Sequence, residues 1–253
     1  MTTPHDLTGK TALITGAARN MGRAFAVALA ARGADIVAHY HSDSSAADAE
    51  ETARLIKDQG RRALLAQGDL ADKGRVEAIF AETKQAFGRL DIVVNNAGMM
   101  IKKPIADYTE DDFDRVFATN TKAPFLVMQQ AAKHLENDGR VINIGTSLSG
   151  AFTANYGLYS GSKAPIEDFS RALAKEIGDR GITVNTVAPG PIDTPFLHGE
   201  ENDQTVAYLK AATPANRLGT VEDVLPMVEF LASPASQWVT GQILFVNGGF
   251  VTR

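Results

Sequence analysis

Seven short apolar runs, each followed by a segment of helical length, restrict this chain to very few folds. The runs are 11–15, 35–39, 63–67, 91–95, 140–145, 182–187 and 242–246. Between them, apolar residues recur at helical spacing, as from Met21 to Arg32, Arg75 to Phe87 and Val221 to Ala232. Ser45 to Gln59 reads as a polar, alanine-rich helix, and Gly33, Gly60 and Gly88 punctuate the helix ends. Strands joined by helix-length crossovers pair in parallel. The nearly all-apolar run Asp91 to Asn95 is what a strand buried on both faces requires. No shift of composition marks a boundary within the 253 residues. The pattern predicts a single α/β domain, a doubly wound parallel sheet of seven strands with helices on both faces.

Two longer segments complete this reading. Thr109 with Asp112 three residues on has the form of a capping box, and it opens a predicted helix running to about Glu136 with Asn120 in its middle. Residues 191–219 form an irregular stretch too long for an ordinary connector, so they are read as a lid over a functional site.

In an open parallel sheet, ligands bind beyond the carboxyl ends of the strands. After the first strand comes Thr15-Gly16-Ala17-Ala18-Arg19-Asn20-Met21-Gly22. Gly16 and Gly22 let the backbone approach a pyrophosphate, and the helix starting near Asn20 offers its free N–H groups to the anion. Asparagine is the non-glycine residue that best tolerates positive φ, so Asn20 can keep the turn that a glycine would make. Farther along, Tyr159 and Lys163 are four residues apart and share a face if the segment is helical. A cation held beside a phenol favours the phenolate, which makes such a tyrosine a candidate acid or base. Pro165 complicates the picture, because inside a helix it removes an N–H and clashes with the carbonyl of Gly161. Either the helix starts so late that the pair occupies its first turn, or it bends there.

Composition removes several function classes. A net charge of −5 gives no basic field for nucleic acid or anionic membrane. No apolar run approaches the roughly 18 residues of a membrane span, and the N-terminal residues lack a signal-like apolar core. The absence of cysteine excludes disulfides, thiolate metal sites and a cysteine nucleophile, and fits a cytoplasmic setting. His39 and His41 are close in sequence, but no further acid, His or Cys cluster completes a metal site, so no metal is expected.

Together these motifs resemble the short-chain dehydrogenase/reductase family over nearly the whole chain, including members such as 3-oxoacyl carrier-protein reductases. The glycine turn matches the family's Thr-Gly-x-x-x-Gly-x-Gly with Asn20 in place of the second glycine. Asn95-Asn96-Ala97-Gly98 resembles its Asn-Asn-Ala-Gly motif, Asp69-Leu70 its adenine-side acid, and Tyr159 to Lys163 its Tyr-x-x-x-Lys signature. The segment Pro189-Gly190-Pro191-Ile192-Asp193-Thr194 is similar to its nicotinamide-side segment, and Asn247-Gly248-Gly249 to its C-terminal turn. The resemblance implies a Rossmann-type fold and hydride transfer between a nicotinamide and a ketone or secondary alcohol. It implies Tyr159 as general acid or base, Lys163 lowering the phenol pKa and holding ribose hydroxyls, and Asn120 holding a water in a proton relay. The family's catalytic serine, 13 residues before the tyrosine, falls on Thr146, with Ser147 beside it as the alternative.

Cofactor choice is read at the end of the second strand, where an acid would bind the ribose of NAD. The positions read His39-Tyr40-His41-Ser42, without an acid, and Arg19 can pair with a phosphate, so NADP(H) is favoured, with NAD(H) still open. Cofactor contacts are expected at Gly16, Arg19, Asn20, Met21, Gly22, Tyr40, His41, Asp69, Leu70, Asn96, Ala97, Gly98, Pro189, Gly190, Ile192 and Thr194, besides Tyr159 and Lys163. Expected substrate walls are Met99, Met100, Ser147, Leu148, Phe152, Asn155, Tyr156, Phe196, His198 and Tyr208. These suit a medium-sized polar ketone. An NAD-dependent polyol or sugar dehydrogenase, a nucleotide-sugar epimerase and a cofactor-binding regulator without activity are the rival readings. The resemblance also implies a homo-oligomer, commonly a tetramer.

Overall fold

The computed structural model describes residues 5–151 and 153–252. The apolar runs become β1 (Thr11–Ile14), β2 (Asp35–Tyr40), β3 (Ala63–Gln67), β4 (Ile92–Asn95), β5 (Arg140–Ile144), β6 (Thr183–Pro189) and β7 (Ile243–Val246). They form one sheet in the order β3-β2-β1-β4-β5-β6-β7, parallel throughout. The chain starts in the middle at β1, winds outward to β3, then crosses back to β4. That reversal opens a crevice at the carboxyl ends of β1 and β4.

Alternation along each strand separates two cores. Ile14 faces the layer of α1 (Asn20–Ala31), α2 (Ala46–Asp58) and α9 (Val221–Ala232), where Phe25, Leu29, Ile36 and Leu231 are sealed from solvent. Leu13 faces the opposite layer of α3 (Lys73–Phe87), α5 (Ala123–His134) and α6 (Gly157–Glu176), with Val93, Val127 and Val184. Truncating a side chain such as Phe25 to alanine is expected to cost about 3–5 kcal/mol. The amino ends of the strands are tied by ion pairs: Asp91 takes Lys10 at 3.1 Å and Arg89 at 2.6 Å, and Asp35 takes Arg61 at 2.8 Å.

The expected helix from Thr109 starts as predicted but does not run through. Thr109 Oγ1 accepts from Asp112 N at 3.1 Å while the Asp112 carboxylate accepts from Thr109 N at 3.0 Å, a closed capping box on α4 (Glu110–Phe117). Residues Ala118–Lys122 then form a π-helical turn, with Ala123 N donating to Ala118 O, before α5 begins. The physical reason is Pro124, which has no N–H to give the Asn120 carbonyl four residues back. Pro165, by contrast, lies inside a continuous α6. That helix starts at Gly157, so Tyr159 sits in its first turn and Lys163 one turn later on the same face.

The stretch 191–219 is zipped at its ends, Asp193 N donating to Gly219 O at 2.8 Å and Gly219 N to Pro191 O at 2.9 Å. Between them lie two short helices, α7 (Pro195–His198) and α8 (Asp203–Ala211), around a small core of Leu197, Leu209 and Leu218. Among the described residues no helix is long and apolar enough to cross a membrane, and no group of three or more His, Cys, Asp or Glu could hold a metal.

Candidate active site

A cleft of about 990 Å³ runs along the carboxyl ends of the strands and under the 191–219 segment. At one end is the turn between β1 and α1. Gly16 takes φ of 64° and Asn20 φ of 51°, the left-handed conformation its side chain tolerates. Gly22 has no freedom to carry a side chain, since a Cβ there would lie 2.1 Å from the Gly16 carbonyl oxygen. The turn is bolted to the one after β4: Thr15 Oγ1 accepts from Asn96 N at 2.9 Å and Ala97 N at 3.0 Å, and Asn96 Nδ2 donates to Thr15 O at 3.0 Å. The α1 amino end therefore points into the cleft from a rigid base.

His39 braces the same turn from β2. Gly16 N donates to its Nδ1 at 3.2 Å, which assigns the ring proton to Nε2, and Nε2 donates to Gly68 O at 2.9 Å. Burial pushes this imidazole down to about 4 against the pull of the Gly68 carbonyl, so it is neutral at pH 7. Beyond it, Tyr40, His41 and the exposed Arg19 line the cleft; Arg19 has only a loose partner in Asp48, at 3.9 Å.

At the other end, α6 carries Tyr159 and Lys163 to the floor of the cleft, both buried. Lys163 Nζ donates to Ile144 O at 2.9 Å. Gly98 leaves the room: a Cβ there would be 3.2 Å from Lys163 Nζ and 3.3 Å from Asn120 Oδ1. Asn120, fully buried, accepts from Met99 N at 2.9 Å and donates to Met99 O at 2.8 Å and Ser162 Oγ at 2.9 Å. The π-turn thus ties the β4 loop to α6. Burial pushes the Tyr159 phenol up to about 12, and a hydrogen bond from the Thr146 hydroxyl acts in the opposite direction. Burial also brings Lys163 down to about 8. The sequence argument had Lys163 lowering the phenol; in the folded chain desolvation dominates both groups and favours their neutral forms.

A family model described as Enoyl-(Acyl carrier protein) reductase matches residues 16–251. A Picea abies protein, a short-chain type dehydrogenase/reductase, is 40% identical over 97% of this chain and 93% of its own length. The chain belongs to the short-chain dehydrogenase/reductase family. It is an oxidoreductase of that family with its Rossmann-type fold. A hydroxynaphthalene reductase-like protein of Metarhizium majus is 40% identical over 99% of this chain and 98% of its own. Among solved structures, a putative dehydrogenase from Burkholderia cenocepacia with bound NADP is 42% identical, with a TM-score of 0.95 covering 99% and 97% of the two chains.

In this dehydrogenase/reductase the cleft is lined by most of the site residues expected from sequence. From Gly16 to Gly22 and from Asn96 to Gly98 the expected backbone is there, with Tyr40, His41, Asp69, Leu70, Pro189, Gly190, Ile192 and Thr194. Thr146, Ser147, Tyr156, Tyr159, Lys163 and Phe196 complete the set. Asn120 lies behind the wall, and Phe152 lies outside the described residues. Both hydroxyls after β5 line the cleft; that of Thr146 acts to lower the Tyr159 phenol, and Thr146 Oγ1 accepts from Leu148 N at 3.3 Å. Met99, Met100 and Leu148 form walls as expected, whereas His198 turns away to Asp193 at 2.7 Å and Tyr208 is exposed. Asn155 is not a wall either; its carbonyl accepts from Lys103 N and the Tyr108 hydroxyl. Sequence reasoning missed Leu197, Leu209 and Phe250, which reach the cleft through the small core of the 191–219 segment. It also missed the bracing role of His39, for which strand alternation toward the glycine turn was the available signal.

Proposed function

We propose that this protein is an NADP(H)-dependent carbonyl reductase in which Tyr159 supplies the proton to the substrate oxygen. The observation that carries the reading is the buried Tyr159 phenol in one cleft with Thr146, and with Lys163 one turn along the same helix face. A phenol held near 12 keeps its proton at neutral pH, the state needed to protonate an oxygen that gains negative charge. The Thr146 hydroxyl is placed to hydrogen-bond that oxygen, and Lys163 to orient the cofactor ribose and return a proton toward the phenol. Asn120 holds the β4 loop and α6 in register for this.

The glycine turn fits a dinucleotide, because Gly22 leaves no Cβ in the way and the α1 amino end faces the cleft. The end of β2 fits the phosphorylated form, because no carboxylate occupies His39 to Ser42 while the exposed Arg19, held only loosely by Asp48 at 3.9 Å, can meet a phosphate. The NADP in the Burkholderia relative supports the same choice. When bound, the nicotinamide supplies the hydride to the carbonyl carbon. Walls of Met100, Leu148, Tyr156, Phe196 and Phe250 support a compact, ring-containing ketone as substrate, in line with the hydroxynaphthalene reductase-like name of the Metarhizium relative. Residues 191–219 act as the lid of this chamber. Half-exposed Phe113 and Phe125, packed against Phe117 and Phe169, support a homo-oligomer formed through α4, α5 and α6.

Assays of a panel of cyclic and linear ketones with NADPH and NADH test the reading. NADPH oxidation that depends on a ring ketone and is at least about ten-fold weaker with NADH is expected. No ketone-dependent oxidation with either cofactor would overturn it.

A further inference from the structure

Behind the outer wall of the cleft lies a cluster of ionisable groups that the proposed reaction does not use. Glu201, between α7 and α8, has a side chain with no solvent exposure. Its carboxylate takes the Lys102 ammonium at 2.5 Å and the hydroxyl of Tyr156. Lys102 Nζ also stands 4.9 Å from the centre of the Tyr156 ring, and Lys102 N donates to the carboxylate of Glu200 at 3.0 Å. Burial would push the Glu201 carboxyl up, but hydrogen bonds from Lys102, Thr205 and Tyr156 outweigh it and hold the group below its ordinary value. A buried carboxylate without these partners would move toward water.

Three segments meet at this point: the turn after β4, the approach to α6, and the lid. Each bears on the substrate chamber. Tyr156 packs with Met100 and Tyr159, and Phe196 of the lid lies 6.3 Å from the Tyr159 ring. Glu201 is the point at which the middle of the lid is tied to Lys102 and to the Tyr156 hydroxyl.

We propose that Glu201 is a positioning residue: clasped by Lys102 and Tyr156, it holds the lid and the Tyr156 ring as a closed wall around the chamber above Tyr159. The inference rests on the proposed function only in taking that chamber as the substrate site.

Glu201→Gln keeps an acceptor for Tyr156 but loses the charge that holds Lys102, and Lys102→Met removes the other end. The KM of whichever ketone the wild type reduces is expected to rise about ten-fold in each variant, with kcat within about two-fold. The double variant is expected to be no worse than either single one, because both break the same clasp. Trypsin is expected to cut after Lys210 in the lid several times faster in the variants under native conditions. An ion pair that serves stability alone would lower Tm and leave both KM and the rate of cutting at Lys210 unchanged, and that result would overturn the proposal. If the wild type reduces no ketone, the functional reading fails, and the rate of cutting at Lys210 alone decides for or against the clasp.

Discussion

Replacing Lys163 by methionine separates what the lysine does for the site from what it does to the fold. The ammonium is buried, donates to Ile144 O at 2.9 Å, and among the described residues has no carboxylate partner. Burial brings it from 10.5 to about 8. At about 1.4 kcal/mol per pH unit, that drop makes the charged lysine about 3 kcal/mol worse in the folded than in the unfolded chain. Methionine fills similar space, loses the bond to the Ile144 carbonyl, and leaves that carbonyl to offset part of the gain, by about 1–2 kcal/mol. A net stabilisation of about 1–2 kcal/mol at pH 7 is expected, or about 2–8 °C in Tm. The sign with pH follows from the folded value lying below the unfolded one. Between about pH 8 and 10.5 the unfolded chain binds more protons, so wild-type stability rises relative to the variant; the full penalty applies below 8 and is gone above 10.5. Urea unfolding of both proteins at pH 7 and pH 10 reads this directly. A variant less stable than wild type at pH 7, or a gap of equal size at both pH values, would refute the reasoning.

Three further outcomes are expected. His39 is held at about 4 in the fold against 6.5 unfolded, so wild-type stability is intact above 6.5 and falls as pH drops through 4; by pH 4.5 the wild type should lose about 2–3 kcal/mol that His39→Gln does not, measured by urea unfolding across pH. Arg19→Ala should raise the KM for NADPH about ten-fold or more and leave that for NADH unchanged, since a charge-assisted bond to a phosphate is worth about 1.5–3 kcal/mol. Thr146→Val keeps the shape but removes the hydroxyl, so kcat for ketone reduction should fall about 100-fold with NADPH binding intact, read by steady-state rates beside a fluorescence titration.

The sheet was legible because parallel strands buried on both faces leave apolar runs with few other readings, and the strand ends differ from expectation by at most two residues. Asn20 was legible for a similar reason, since few residues other than glycine accept the φ of 51° its turn requires. What escaped depends on contacts between distant segments. The break in the Asn120 helix has a local cause, Pro124, yet a proline in a helical pattern can be carried, as Pro165 shows, and only tertiary packing decides which occurs. His39 read as half of an incomplete metal pair because its partners, Gly16 N and Gly68 O, come from two other loops. The direction of the Tyr159 pKa was missed because spacing reveals the nearby cation but not the depth of burial. Glu201 drew no reading from sequence, because nothing in its own neighbourhood points to Lys102 or Tyr156.

The most direct test compares wild type with Tyr159→Phe, each saturated with NADPH, in a single assay of ketone-dependent NADPH oxidation. Phenylalanine keeps the ring packed against Met100 and Tyr156 and removes only the hydroxyl that Thr146 contacts. With Tyr159 as the proton donor, the rate should fall by about 10²–10⁴ while the NADPH affinity and the fold remain. A Tyr159→Phe enzyme that turns over within a few-fold of wild type would contradict the assignment.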